Sequence, residues 1–180
     1  MLHQACKASF WRLAVVGLLA TGGAVAAWYV MDHHEERALS FSLPDLQGRM
    51  HTLDEWRGHL VLMNFWAPWC EPCRREIPLL NAYAARWSKQ GVIVVGLGAD
   101  TQEHIRQAVE QFDISYPVLL GEGAVFDVAR AYGNREGLLP FTVLVDQKGF
   151  IVWRHLGEVN ASMLDGQLRR YQRGTGRPDS

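Results

Sequence analysis

Only three of the 180 residues are cysteine: Cys6, Cys70 and Cys73. A zinc site built on Cys70-x-x-Cys73 would need a second ligand pair at similar spacing, but no such pair and no His-x-x-x-His follows. Arg74 stands after the second cysteine, where c-type haem attachment would need histidine. Charge of either sign is in balance, with 18 Lys and Arg against 19 Asp and Glu, so no basic excess points to nucleic acid. Gly96-Leu97-Gly98 lacks the third glycine of a dinucleotide loop, Thr101 standing there instead, and reads as a strand-end loop with no cofactor. His33-His34-Glu35-Glu36 cannot turn four adjacent side chains onto one ion, so it reads as a solvated spacer and no metal is expected. No internal repeat appears, and 48% hydrophobic residues suffice for one core.

Charge is also missing from Leu13 to Met31, nineteen residues in a row. That length crosses a bilayer as a helix. Trp11, Trp28 and Tyr29 sit where interfacial aromatics belong; Lys7 and Arg12 precede the run, and Asp32, Glu35 and Glu36 follow it. The chain after residue 31 is therefore expected to face outward. A cleaved secretory signal competes with this anchor, because Ala24-Val25-Ala26 fits a small-x-small site. Both readings export Cys70 and Cys73, and the anchor is preferred. Cys6 falls on the cytoplasmic side and reads as a bystander.

The chemistry lies in Phe65-Trp66-Ala67-Pro68-Trp69-Cys70-Glu71-Pro72-Cys73. The apolar run Leu60 to Asn64 predicts a buried strand before it, and the pattern from Arg74 predicts a helix after it. A cysteine at such a junction faces unpaired backbone N–H groups and the positive end of the helix dipole, which favours its thiolate. Cys73, one turn on, is close enough to pair with Cys70 as a disulfide and to resolve a mixed disulfide that Cys70 forms. The spacing encodes a two-electron switch.

Elsewhere, Phe41 to Thr52 reads as a hairpin turning at Gln47-Gly48, and Leu53 to Trp56 as a helical turn. A strand is expected over His59–Trp66. The helix after the thiols carries Ile77, Leu80, Ala84 and Trp87 as a core-facing stripe, with Pro78 inside it. A buried strand at Val92–Leu97 precedes a helix over 101–112, for which Asp100 and Glu103 form a capping pair. Tyr116–Leu120 is a short strand, and 124–132 a helix ended by Gly133-Asn134. Phe141–Val145 and Phe150–His155 form a hairpin pair, and Asn160 caps a last helix bearing Leu164, Leu168 and Tyr171. This order predicts an α/β fold, a mixed sheet with helices on both faces.

Phe65 to Cys73, with Arg74, Glu76 and Pro78, resembles the active-site segment of thioredoxin-fold proteins, and specifically the membrane-tethered TlpA/ResA-like thiol-disulfide oxidoreductases. The similarity runs from about Phe41 to about Gly157. It implies a thioredoxin-like fold with an N-terminal hairpin addition. The expected organisation is a cytoplasmic N-terminus (1–12), a transmembrane segment (13–31), a linker (32–40), the thioredoxin-like domain (41–172) and a tail (173–180). The resemblance makes Pro140 a cis proline beside the disulfide, which leaves the backbone of Leu139 to pair with an extended partner segment. It departs from the family in the loop Asn134-Arg135-Glu136-Gly137-Leu138-Leu139, about two residues longer than usual. Asn64 stands where many thioredoxins bury an acid. Glu71, between the thiols, is the acid–base candidate, because a carboxylate there opposes the helix terminus in tuning the thiols. Glu76 ranks behind it, and Trp69 reads as part of the docking surface.

The expected activity is thiol-disulfide exchange, with Cys70 as nucleophile and Cys73 as resolving thiol. Outside the cytoplasm a reductase must draw electrons through the membrane. The resemblance implies a transmembrane donor of the DsbD/CcdA type, and exported disulfide substrates such as apocytochrome c or a copper-site assembly protein. A DsbA-like oxidase running the other way and a copper-binding metallochaperone are the alternatives. A peroxidase fits poorly, since Pro68 precedes Cys70 too closely for a peroxidatic Pro-x-x-x-Thr/Ser-x-x-Cys.

Overall fold

The computed structural model describes residues 36–172. The expected N-terminus 1–12, transmembrane segment 13–31, the first part of the linker (32–35) and the tail 173–180 lie outside the described residues. Among the described residues no helix is long and apolar enough to cross a membrane.

Strand β3 (Leu60–Trp66) is the centre of the sheet and is buried at all seven positions. Its alternation feeds two cores. Leu60, Leu62 and Trp66 join one cluster with Ile77 and Leu80 of helix α1 (Glu71–Trp87) and Leu164 and Leu168 of the last helix, α4 (Ala161–Gln172). Val61, Met63 and Phe65 face the other way, onto Val125 and Ala129 of α3 (Glu122–Ala131), and Tyr132 just after it. A strand covered on both faces needs apolar residues at both parities, which is why this segment reads as a continuous run.

The five-stranded sheet has the order β5-β4-β3-β6-β7, with β4 at Val92–Gly98, β5 at Val118–Leu120, β6 at Phe141–Val145 and β7 at Ile151–Leu156. The β5, β4 and β3 strands run parallel, and β6 and β7 join antiparallel. Trp66 pairs with Gly98 and Phe65 with Phe141. The end of β3 and the start of β6 therefore share one sheet edge, and the segments carrying Cys70 and Pro140 emerge there together.

Two sequence expectations are corrected locally. Helix α2 (Gln102–Gln111) is capped by Thr101, whose hydroxyl accepts from the backbone N–H of His104 at 3.2 Å; Asp100 instead accepts from the Thr101 N–H and from the His104 ring. Threonine one residue nearer the first turn reaches the third amide of the helix, which Asp100 does not. Gly96-Leu97-Gly98 is not a loop but the end of β4. A Cβ on Gly96 would lie 3.0 Å from both Trp66 Nε1 and Tyr116 Cε2, so glycine lets these two rings cover the strand.

Strands β1 (Ser42–Pro44) and β2 (Met50–Thr52) form the expected hairpin, and Asp45 bridges to Leu119, covering the β5 edge. Asp45 Oδ1 accepts from the N–H groups of Gln47 and Arg49, which closes the turn. His51 spans two carboxylates: Nδ1 lies 2.8 Å from Glu55 Oε2 and Nε2 lies 3.1 Å from Asp45 Oδ2. A neutral imidazole has one N–H, so both contacts are satisfied only by the imidazolium. Hydrogen bonding to Glu55, then to Asp45, raises the His51 pKa against a smaller opposing effect of burial.

This clasp sets a pH dependence. A raised folded pKa gives stabilisation that is fully present below the ordinary histidine value and lost as pH rises through the folded one. Between about pH 6 and pH 9 the urea midpoint of the wild type should therefore fall relative to that of His51→Gln. Parallel curves for the two proteins would show that the clasp contributes nothing.

Candidate active site

The segment leaving β3 turns at Ala67-Pro68-Trp69, with the Cys70 N–H donating to the Ala67 carbonyl at 3.1 Å. Cys70 is the N-cap of α1, and its Sγ accepts from the Cys73 N–H at 3.3 Å. Pro72 lies in the first turn, where the absent N–H has no intrahelical partner to lose. The sulfur of Cys70 thus faces the amide end of the helix, an environment that favours a thiolate. Cys70 and Cys73 are joined as a disulfide, their Cα atoms 5.3 Å apart. Cys70 is 5% exposed and Cys73 fully buried, so a partner's sulfur reaches Cys70 first.

The Leu139–Pro140 bond is cis, and the Pro140 carbonyl accepts from the Gly157 N–H. Leu139 packs against the core cluster that contains both cysteines. The longer loop before it is closed by Asn134, whose side-chain oxygen accepts from the Leu138 N–H and whose amide donates to the Leu138 carbonyl at 2.7 Å. Leu138 is left exposed, and Trp69 is 62% exposed beside the disulfide. Exposed aromatic and aliphatic surface around a reactive bond suits contact with a polypeptide partner.

The two glutamates have opposite surroundings. Glu71 faces solvent, its carboxylate 3.2 Å from Arg75, which also holds Glu158 at 2.8 Å. Glu76 is 1% exposed. Its Oε1 accepts from Asn64 Nδ2 at 2.7 Å and its Oε2 from the Val159 N–H at 2.9 Å. Burial pushes its pKa up to about 7, against the opposing pull of the Val159 and Asn64 hydrogen bonds and with a further push from the charge of Glu158. The buried carboxyl group of this helix is therefore Glu76, one turn beyond Cys73. Sequence reasoning ranked it second although a signal was present: Glu76 falls beside Ile77 in the core-facing stripe, opposite a polar Asn64 within an otherwise apolar strand.

A raised carboxyl pKa means that the folded state holds a proton the unfolded chain has lost. Stability conferred by the neutral form is present below the ordinary glutamate value and falls as pH rises from about 4.5 to about 7. The oxidised wild type should lose on the order of 3 kcal/mol across this window relative to Glu76→Gln, read from denaturant unfolding. A difference that is flat with pH, or of opposite sign, would contradict the buried-carboxyl assignment.

Comparison with known proteins agrees with this geometry. The AhpC/TSA family matches residues 35–154. The thiol-disulfide oxidoreductase ResA of Bacillus cereus is 32% identical over 136 residues, which are 75% of this chain and 76% of that protein. ResA of Halalkalibacterium halodurans is 34% identical, covering 72% of each chain. Among solved structures, a putative thiol:disulfide interchange protein DsbE from Chlorobium tepidum superposes with a TM-score of 0.70 at 26% identity, covering 77% of this chain and 96% of the other. With a Cys-x-x-Cys disulfide at a strand-to-helix junction of the thioredoxin-like fold, this chain is a thiol-disulfide oxidoreductase belonging to the AhpC/TSA family and related to ResA.

Proposed function

We propose that the protein reduces disulfides in exported proteins, with Cys70 as the nucleophile, Cys73 as the resolving thiol and Glu76 as the group that takes the Cys73 proton. The observation that carries this reading is the contrast between a reachable Cys70 at a helix N-cap and a Cys73 enclosed one turn from a buried carboxyl group. In the reduced enzyme the Cys70 thiolate attacks one sulfur of the partner's disulfide. A Cys70–partner bond forms, and the partner's other sulfur leaves as a thiolate. Cys73 passes its proton to the Glu76 carboxylate and attacks Cys70 Sγ, which releases the partner's second sulfur. Two electrons pass to the partner, and the Cys70–Cys73 disulfide remains. A base with a pKa near 7 is matched to proton transfer at neutral pH.

In this reading Glu71 tunes the thiols only from the surface, through its pair with Arg75. Trp69 and the backbone of Leu139, ahead of the cis bond, contact the partner segment. The charge-free run 13–31 tethers the domain to the cytoplasmic membrane so that it faces the periplasm or cell exterior. Electrons then come from a transmembrane donor of the DsbD/CcdA type, and apocytochrome c or a copper-site assembly protein is the substrate. The names of the ResA relatives support the exchange chemistry and leave direction to be measured.

Two measurements check this. Cys73→Ser should accumulate a stable mixed disulfide with a reducible partner, whereas Cys70→Ser should form none, and both should lose turnover; a mixed disulfide on Cys70→Ser would reverse the roles. The Cys70–Cys73 reduction potential should lie near or below about −270 mV, a donor's value; one near about −120 mV would make the protein an oxidant of exported thiols.

A further inference from the structure

Beneath the disulfide lies a polar group that the exchange reaction does not use directly. Asn64, 1% exposed in the middle of β3, donates from Nδ2 to Glu76 Oε1 at 2.7 Å and to Thr142 Oγ1 at 3.1 Å. Its Oδ1 is buried with no hydrogen-bond partner. Leaving such an atom unpaired costs about 1–3 kcal/mol, so an arrangement that spends one amide end on two neighbours and none on the other calls for a reason.

The reason lies in what each neighbour can do. An ionised carboxylate only accepts hydrogen bonds, whereas a protonated carboxyl group also donates one. The threonine hydroxyl does either. An asparagine amide has a donor end and an acceptor end of nearly equal size, so rotating it by half a turn exchanges the two without changing the packed shape. Leucine in its place would serve neither state, and aspartate would set a second negative charge against the carboxylate.

We propose that Asn64 is the positioning residue of this site and holds Glu76 in both of its protonation states by turning its side-chain amide over. With Glu76 ionised, Nδ2 donates to the carboxylate and to Thr142, as observed. When the proton of Cys73 arrives on Glu76, the new O–H donates to Asn64 Oδ1. The Thr142 hydroxyl rotates to donate to the same oxygen, and Nδ2 takes the place that Oδ1 has left. One proton moves from sulfur to carboxyl oxygen; the two bonds given by Nδ2 are replaced by two accepted by Oδ1, and the Val159 N–H bond to Oε2 is retained. Thr142 lies two residues beyond Pro140 in β6, so the turnover is felt on the strand that begins at the cis bond. The other ionisable groups facing Glu76 are Glu158, whose charge opposes its ionisation, the reduced Cys73 thiol, and buried Tyr116, whose ionisation is opposed by burial and by the Glu76 charge. This inference rests on Glu76 being the proton acceptor.

The test is a pH titration by NMR of the full chain, labelled in asparagine side-chain nitrogen and glutamate carboxyl carbon, with the Asn64 signal identified by its loss in Asn64→Asp. Cross-relaxation between the Asn64 amide protons and the Thr142 methyl should be present above the Glu76 midpoint and lost below it. Asn64→Leu, with a similar shape and neither donor nor acceptor, takes a partner from both protonation states and should leave the Glu76 midpoint within about half a unit, whereas an amide serving the carboxylate alone predicts a rise of about one unit, a tenfold change in proton affinity. Cross-relaxation that persists while Glu76 titrates would overturn the turnover and leave the acid–base reading standing, as would a midpoint raised by about one unit in Asn64→Leu. A Glu76 carbon that does not titrate between pH 5 and 9 would remove the acid–base reading and this inference together.

Discussion

The hydrogen bond from the Cys73 amide to Cys70 Sγ fixes the chemistry of the molecule, because it places a sulfur where a helix begins. A sulfur at that position gains from the unpaired amides and the helix dipole only if the helix starts at that residue and nowhere else. The rest of the fold secures that start. Strand β3 is held on both edges by β4 and β6 and on both faces by apolar clusters, so its exit direction is determined. Pro72 is compatible with a first turn, and Ile77, Leu80 and Trp87 bind the helix to the sheet along its length.

The same anchoring encloses Glu76. A carboxyl group three residues beyond Cys73 on a core-facing helix surface is dragged out of water by the packing of its neighbours, and desolvation outweighs the two hydrogen bonds that favour its charge. Stability and chemistry oppose each other here. An apolar residue at this point would pack without a titration, but it would remove the base that the proposed mechanism assigns to Cys73. The fold accepts a group whose ionisation destabilises it at neutral pH, a compromise expected where a proton has to move.

Much of the architecture was legible in the sequence, since periodicity reports burial and burial here is regular. Among the described residues the strands and helices fall within a few residues of where the pattern puts them, because Gln47-Gly48, Asn160 and the apolar stripes are each local signals with local causes. The thiol pair was legible for the same reason. What escaped was interaction across elements. Asn64 and Glu76 are twelve residues apart, and Thr142 is a further sixty-six away, so no window of sequence contains their hydrogen bonds. A ranking by proximity to the cysteines favours Glu71, yet on a helix the side chain next to a cysteine points away from it and the one three or four on shares its face. The Asp100 cap failed differently, since two adjacent capping residues compete and only backbone geometry decides between them.

Carrying the acid on the helix rather than on the strand has a mechanical consequence. An acid at position 64 would be fixed to the sheet, and any shift of the helix start against the sheet would change its distance from Cys73. Glu76 belongs to the same rigid element as Cys73, so their separation is set by helical geometry in either redox state. What then has to adjust is the contact between Glu76 and the sheet, where an amide meets it with a hydroxyl behind, neutral side chains able both to give and to accept a hydrogen bond. With Val159 holding Oε2 from the segment before α4, the carboxyl group is gripped by helix, sheet and loop at once. In the proposed mechanism its proton comes and goes while its position stays constant, as a proton acceptor shared by two thiol states requires.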